Sequence, residues 1–365
     1  MNWSEVDCKP SLFGKYPELV RKLPYMDLGA FPTAVHPLDR LGVENLWIKR
    51  DDQSSPVYGG NKIRKLAFIL AEARQEKRRH LITLGGIGTN HGLASVLFSH
   101  QLGIQCTLLL YHQPVTENVK LVLLTLAKYK ARLIYQKTLW RTLLSYYLLY
   151  RFRYPSAYFL YPGGSSAVGT VGYIDAALEL KNQVDQGILP EPEAIFCPLG
   201  SGGSLAGLAL GLQLSGMHSR VVGVRAIASH LGPFQACTPG TVARQIKHAY
   251  AYLKKRCRDL PDVTLKAPLI LDDYFGECYG MPTKAGSNAY HLMREKEGIL
   301  LDPTYTAKTF AAVLDYCRSP LRERGPVLYW HTYNSVDLSS MAKEVDYRTL
   351  PKPLQSFIEQ KPVAY

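Results

Sequence analysis

The chain has 365 residues, 47% hydrophobic and 20% charged, a balance that suits a globular protein with a sizeable core and excludes collagen-like, low-complexity and intrinsically disordered classes. Lysine and arginine exceed aspartate and glutamate by 13, a surplus that favours anions such as phosphates and carboxylates. The seven cysteines (Cys8, Cys106, Cys197, Cys237, Cys257, Cys278, Cys317) are scattered and form no C-x-x-C pair, which argues against a disulfide framework or a zinc site and fits a reducing cytoplasm.

The first residues, MNWSEVDCKPSLFGKYPE, are polar and charged and do not read as a signal peptide. LWIK from Leu46 reads as a strand, and the spacing of Ile63, Leu66, Ile69, Leu70 and Ala73 predicts a helix over 62–77. LITLGG from Leu81 is a strand running into glycines, and a helix follows over 94–102. Further strands are expected at CTLLLY from Cys106, at 132–136 and at AYFLYPGG from Ala157, then a helix over 169–186. The later strands are AIFCPLG, RVVGVRA and PVLYWH, with a helix over 205–214 between the first two. Such alternation implies parallel sheets covered by helices, with ligands at the carboxyl ends of the strands.

Two stretches stand apart by charge. From Lys120 to Arg153 there are eight basic residues (Lys120, Lys128, Lys130, Arg132, Lys137, Arg141, Arg151, Arg153) and no acidic one. This reads as a solvated face of ordinary helices; a surface for a membrane or a partner is the next reading, and no nucleic-acid motif accompanies it. The stretch between Glu193 and Arg220 has no Asp, Glu, Lys or Arg but is broken by Pro198 and glycines, so it reads as a buried strand, a loop and a core helix, with no membrane span.

Three segments carry chemistry. In IKRDDQSSPVYGGNKIRKLAFILAEA (48–73), Gly59 and Gly60 allow close approach by a planar ligand, and Lys62 begins a helix. The helix dipole there disfavours a cation, so the amine is a candidate for a lowered pKa and Schiff-base chemistry. In TLGGIGTNHGLA, a strand meets Thr89, Asn90, His91 and Gly92 at a helix start, an anion site suited to a carboxylate; a plain helix cap at Thr89 or Asn90 is the simpler reading. In CPLGSGGSLAGL, Ser201, Gly202, Gly203 and Ser204 place amides and hydroxyls where a phosphate would bind. That loop lacks the lysine of a P-loop and does not fit G-x-G-x-x-G. Tyr279, Asp302, Tyr305, Thr306, Lys308, His331 and Thr332 are the remaining polar candidates near strand or turn ends.

In this order, GGNK-x-RKL, GG-x-x-TNH, PGGSS-x-x-GT-x-GY, GSGG-x-LAGL, CYG, GILLDP-x-YT-x-K and a final HT resemble the D-cysteine desulfhydrase and 1-aminocyclopropane-1-carboxylate (ACC) deaminase family of fold-type-II pyridoxal-phosphate (PLP) enzymes. The resemblance runs from about residue 20 to about 340 and is weakest over 112–155 and 230–270. It implies an α/β, tryptophan synthase beta-like fold of two open, twisted, mostly parallel sheets flanked by helices. A large PLP-binding domain would comprise 1–66 and 181–365, with a smaller one, 67–180, inserted in it and the active site between them.

The resemblance further implies pyridoxal 5'-phosphate as cofactor, a small amino acid as substrate and a homodimer. It would have Lys62 hold the cofactor and take the Cα proton, and Asn90 bond the ring hydroxyl. Thr89, Asn90, His91 and Gly92 would hold the substrate carboxylate, and Ser201, Gly202, Gly203 and Ser204 the phosphate. Tyr279 and Tyr305 would face the substrate, so that Lys62, Thr89, Tyr279 and Tyr305 form the catalytic set. Thr306 and Thr332 stand where the deaminase branch has glutamate and leucine; they imply a hydroxyl at the ring nitrogen and point to β-elimination rather than ring opening. Threonine at 89, where the family has serine, is expected to narrow the pocket by a methyl. The family continues HT with two glycines; this chain has Tyr333 and Asn334, which leaves open another reaction on the same fold, such as ring opening or racemisation, or a PLP-binding protein without catalysis.

Overall fold

The computed structural model describes residues 10–231, 234–319 and 325–363, and Cys8 and the first half of the N-terminal segment read above lie outside them. The chain divides into two compact units, residues 1–68 with 165–335 and residues 69–164 with 336–365. Elements are numbered along the chain.

Unit 1 is built on a six-stranded sheet of order β1-β2-β12-β7-β8-β11, in which β1 (Val35–Pro37), β2 (Leu46–Arg50), β7 (Ala194–Leu199), β8 (Arg220–Arg225), β11 (Leu269–Leu271) and β12 (Val327–His331) take part. Only the β1–β2 pair is antiparallel. The strands β7 and β12 are buried along their whole length, as parallel strands covered on both faces must be. A short antiparallel pair, β9 (His230–Leu231) and β10 (Phe234–Gln235), stands apart from the sheet. The helices are α1 (Ser11–Lys15), α2 (Asn61–Gln75), α7 (Ala167–Asp185), α8 (Gly203–Ser215), α9 (Pro239–Lys254), α10 (Lys284–Glu297) and α11 (Thr306–Arg318). One face of the sheet packs on α10 and α11 through Ile48, Phe196, Val224 and Tyr329 against Met293, Phe310 and Val313. The charge-free stretch is β7, a glycine turn and α8, and among the described residues no helix is long and apolar enough to cross a membrane.

Unit 2 holds a four-stranded parallel sheet of order β5-β4-β3-β6, from β3 (His80–Gly86), β4 (Gln105–Tyr111), β5 (Arg132–Lys137) and β6 (Tyr158–Phe159). Its helices are α3 (Asn90–Gln101), α4 (Glu117–Lys128), α5 (Leu139–Leu144), α6 (Arg151–Arg153), α12 (Ser339–Lys343) and α13 (Lys352–Glu359), with a π-helical segment Ser145–Tyr150 joining α5 to α6. Tyr146 and Tyr150 from that segment pack on Ile82, Leu84 and Leu109 of the sheet.

The units differ from the expected 67–180 insertion at two places. Helix α7 stays with unit 1 because α8 lies against it at glycine distance: a Cβ on Gly207 would stand 2.4 Å from the Tyr173 Cβ, and one on Gly211 2.5 Å from the Ala177 Cβ. Residues 336–365 join unit 2 through the Val363 amide on the Val115 carbonyl (2.8 Å), Phe357 beside His112, and the Lys128–Glu344 ion pair.

Candidate functional site

In unit 1, the chain leaves β2, passes a 3₁₀ turn Asp51–Gln53 and reaches α2 through Gly59 and Gly60. Gly60 has φ +88, and a Cβ there would stand 2.5 Å from the Tyr333 carbonyl oxygen, so only glycine fits. The next amide, Asn61 N–H, donates to the Thr332 carbonyl at 3.1 Å, and the Asn61 side chain donates to Ser204 Oγ at 3.1 Å. The start of α2 is thereby tied both to the end of β12 and to the start of α8. Lys62, one residue on, keeps some accessible surface, as a group that must meet a ligand does. The protein packed around its amine strips it of water and pushes its pKa down to about 8, against the opposing pull of Asp302.

The turn from β7 into α8 has Gly202 at φ +92, a conformation that directs successive amides of the turn and first helical residues outward. Gln245 supports it from behind by donating to the Ser201 carbonyl (2.7 Å), and Ser165 Oγ accepts from the Gly203 amide (3.0 Å) while sharing a hydrogen bond with Ser201 Oγ (2.7 Å). Lys65 is buried three residues after Lys62, and its Nζ is 3.0 Å from where a Cβ on Gly203 would stand. Burial, and then the neighbouring Lys62, hold the Lys65 pKa well below its usual value; an anion at the turn would reverse that.

Tyr305 lies against the same turn, with its ring 3.1 Å from a Cβ placed on Gly200, and its hydroxyl donates to the Tyr279 hydroxyl at 3.0 Å. The Thr306 hydroxyl donates to Asp302 Oδ1 (2.8 Å) and accepts from the Asp302 amide (2.7 Å) inside the turn that starts α11. The Asp302 carboxylate also accepts from the amides of Thr304, Tyr305 and Thr306, an acidic cap on that helix. Thr332 follows β12, buried, beside the Gly60–Asn61 link.

In unit 2, β3 runs through Gly85 and Gly86 into α3, and Thr89 is the cap: its Oγ1 accepts from the Gly92 amide at 3.0 Å. The simpler reading of Thr89 is therefore present in full, and its hydroxyl hydrogen remains for a second partner. Its methyl fills space that Gly85 and Gly92 leave open, 2.4 Å from a Cβ on Gly92 and 3.0 Å from one on Gly85. The extra carbon is absorbed by the fold where the sequence reading had it narrow a pocket. His91 is turned back into the unit, with Nε2 3.1 Å from the Thr83 hydroxyl, so an anion at this helix start would meet its amide rather than its ring. Asn90, at the first helical position, is partly exposed.

Sequence reasoning passed over Asn61, Lys65, Ser165 and Gln245. The first two were legible, because Lys62 and Lys65 at i and i+3 share one side of a helix and Asn61 precedes them in the same motif. Ser165 lies in the PGGSS motif, whereas nothing marks Gln245, which reaches the turn from α9.

Within unit 1, then, a desolvated amine, a glycine turn at a helix start with a second buried amine beside it, and a pair of phenols converge through Asn61, Ser204 and Tyr305. This set fits a flat aldehyde with a phosphate tail: the amine for the aldehyde, the turn and Lys65 for the phosphate. Comparison with known proteins agrees. Residues 26–332 match the family model described as pyridoxal-phosphate dependent enzyme. The chain is 33% identical over 325 residues to a D-cysteine desulfhydrase of Klebsiella pneumoniae, covering 85% of this chain and 94% of the relative. A D-cysteine desulfhydrase of Salmonella newport is 32% identical over 329 residues, with the same coverage. Among solved structures, one described as an ACC deaminase homologue superposes with a TM-score of 0.75 at 27% identity, covering 96% of this chain and 99% of that one. A threonine deaminase from Solanum lycopersicum, at a TM-score of 0.62 and 15% identity over 92% of this chain and 93% of its own, shares the fold. This chain belongs to the pyridoxal-phosphate dependent enzymes, in the D-cysteine desulfhydrase and ACC deaminase family.

Proposed function

We propose that the protein is a lyase of the D-cysteine desulfhydrase type, converting a small amino acid with a β-thiol to pyruvate, ammonia and sulfide. The observation that carries the chemistry is Lys62: an amine with a pKa near 8, one residue after an asparagine bonded to Ser204 at the α8 turn. When bound, pyridoxal phosphate supplies the electron sink that lets a bond at the amino acid's Cα break heterolytically. The protein does the rest. The Ser201–Ser204 turn and Lys65 would hold the phosphate, and the Lys62 amine would hold the aldehyde and serve as the base for the substrate's Cα proton. At the start of α3, Thr89, Asn90 and the amides of His91 and Gly92 would hold a substrate carboxylate. Thr332 and Thr306 would offer hydroxyls to the ring nitrogen, Thr306 from its present bond to Asp302. The Tyr305–Tyr279 pair passes a proton to the departing sulfur. After the Cβ–S bond breaks, the aminoacrylate that departs is hydrolysed by water to pyruvate and ammonia.

Two features favour elimination over ring opening. A hydroxyl leaves the ring nitrogen less firmly protonated than a carboxylate would, which gives a weaker sink that suffices for a thiolate leaving group. The curated relatives at 32–33% identity are themselves D-cysteine desulfhydrases. In this reading the enzyme works as a homodimer in a reducing cytoplasm.

Purified protein given D-cysteine, D-serine or aminocyclopropane carboxylate, with sulfide and keto acids assayed, decides the reaction. Sulfide and pyruvate from D-cysteine are expected; α-ketobutyrate from the cyclopropane with no sulfide from D-cysteine would assign ring opening instead. Lys62→Ala removes the visible band of the lysine-bound cofactor. Because only the neutral amine attacks an aldehyde, capture of cofactor by stripped enzyme should accelerate as pH rises through about 8 and level off above it.

A further inference from the structure

Where the resembled family carries two glycines, this chain has Tyr333 and Asn334, and the structure gives the second of these a specific task. Three consecutive amides lead into the helix of Lys62, and each has a fixed acceptor. Gly59 N–H donates to Asn334 Oδ1 (2.9 Å), Gly60 N–H to the Asp51 carbonyl (2.7 Å) and Asn61 N–H to the Thr332 carbonyl (3.1 Å). The segment after β12 thus supplies two of the three acceptors. It is pinned in turn, because the Ser335 amide and hydroxyl both donate to the Asp52 carbonyl, at 3.3 and 2.9 Å.

The glycines between these anchors have no room for a side chain. A Cβ on Gly59 would stand 1.9 Å from the Asp52 carbonyl oxygen, and one on Gly60 2.5 Å from that of Tyr333. Of the three acceptors, only the one from Asn334 is a side chain, so only this one can be changed without altering the backbone. Asn334 is itself buried, as is Gly59, so loss of the acceptor leaves a buried N–H with nothing to bond.

We infer that Asn334 is a positioning residue for Lys62: its side-chain carbonyl fixes the Gly59–Gly60 turn and so sets where the amine stands against the cofactor. The inference rests on Lys62 as the cofactor's lysine. It explains how a chain without the two glycines still presents that lysine, since the asparagine side chain turns into the lysine's own loop.

The test uses the holoenzyme and two variants. Asn334→Leu keeps the size and removes the acceptor; Asn334→Asp keeps an acceptor oxygen. Cofactor release into a trap, the pH midpoint of the visible band and the melting temperature are measured for each. Asn334→Leu is expected to release cofactor about tenfold faster, the factor that matches loss of one buried hydrogen bond, and to displace the midpoint. Asn334→Asp should stay within about twofold of wild type in release. If Asn334→Leu only lowers the melting temperature, with release and midpoint unchanged, the residue is merely structural and the inference fails; equal acceleration in both variants also overturns it. Should Asn334→Leu not fold, hydrogen exchange of the wild-type Gly59 amide decides, strong protection being expected and fast exchange overturning it. Lys62→Ala is the control for the underlying reading: a visible band that survives there removes Lys62 from the chemistry, whatever Asn334 does.

Discussion

The charges around Asp51 in unit 1 and the basic stretch from Lys120 to Arg153 in unit 2 are built on opposite terms. Around Asp51, two cations and two anions are sealed from water: Lys49, Asp51, Arg64 and Glu179 are each at most 3% exposed. Arg64 donates to both carboxylates, Lys49 donates to Glu179, Gln183 and the Thr33 carbonyl, and Asp51 accepts further bonds from Thr33, Tyr173 and Trp330. In the basic stretch, Lys137, Arg141, Arg151 and Arg153 are exposed, and the arginines that find partners do so on aromatic residues: Arg132 donates to the Tyr154 hydroxyl at 2.9 Å and Arg151 lies over the Phe159 ring. Trp140, Leu144, Leu148 and Phe152 are exposed among them, Phe152 by 90%. The lesson concerns where charge matters. A net surplus advertises itself in a sequence and costs little in water, whereas a balanced cluster is invisible to a charge count and holds the strand and helix on either side of the lysine loop.

The sharpest way to break the comparison is to remove one partner from each region. Arg64→Met leaves Asp51 and Glu179 buried without their shared cation. Stability should fall by about 3–5 kcal/mol, read from the midpoint of urea unfolding. Loss of less than about 1 kcal/mol would mean that the network is no more demanding than a surface pair.

Acid sharpens the same point. Burial alone would raise the Glu179 and Asp51 pKa values, but Arg64 and Lys49 outweigh it, holding Glu179 down to about 2 and Asp51 below its usual value. Folded pKa values below the unfolded ones give stability that is complete above the ordinary carboxylate range and drains away as pH falls toward 2. Asp175, one turn earlier on α7, behaves the other way. Burial raises its pKa to about 7, so its share of stability declines as pH rises from the ordinary carboxylate range to about 7. Unfolding curves taken from pH 2 to 8 should show both limbs; Glu179→Gln should flatten the acid one and Asp175→Asn the other.

How much of this was legible follows from how far apart the interacting residues are. The strands and helices that frame Lys62 and the Ser201–Ser204 turn show in the sequence because each is a local pattern: β2, β7, β12, α2 and α8 are apolar runs or helical stripes next to glycine turns. Unread were α9 and α10, whose stripes lie among polar residues, and the buried network, whose partners are 115–130 residues apart in Arg64–Glu179 and Lys49–Glu179. Lys49 looked like the end of a strand, and Arg64 like one more cation in a basic motif.

A milder cut tests whether Asp51 needs all its donors. Tyr173 is buried, its hydroxyl donates to Asp51 Oδ2 at 2.8 Å, and the Trp330 indole donates to the same oxygen at 2.8 Å. Tyr173→Phe removes one donor from a carboxylate that keeps Arg64, Thr33 and Trp330. A hydrogen bond to a charged group contributes about 1.5–3 kcal/mol, and with the charge still paired the loss should fall at the lower end, visible as a lower melting temperature with no change in cofactor retention.

The smallest effect belongs to the basic stretch. Arg141 is exposed near the start of α5, and its backbone amide, which the Thr138 side chain caps, survives any change of side chain. Arg141→Ala should therefore move stability by no more than about 0.5 kcal/mol in urea unfolding at ordinary salt. A larger loss would show that this face is held by partners rather than by water, and the contrast with Arg64 would then reduce to a difference in degree.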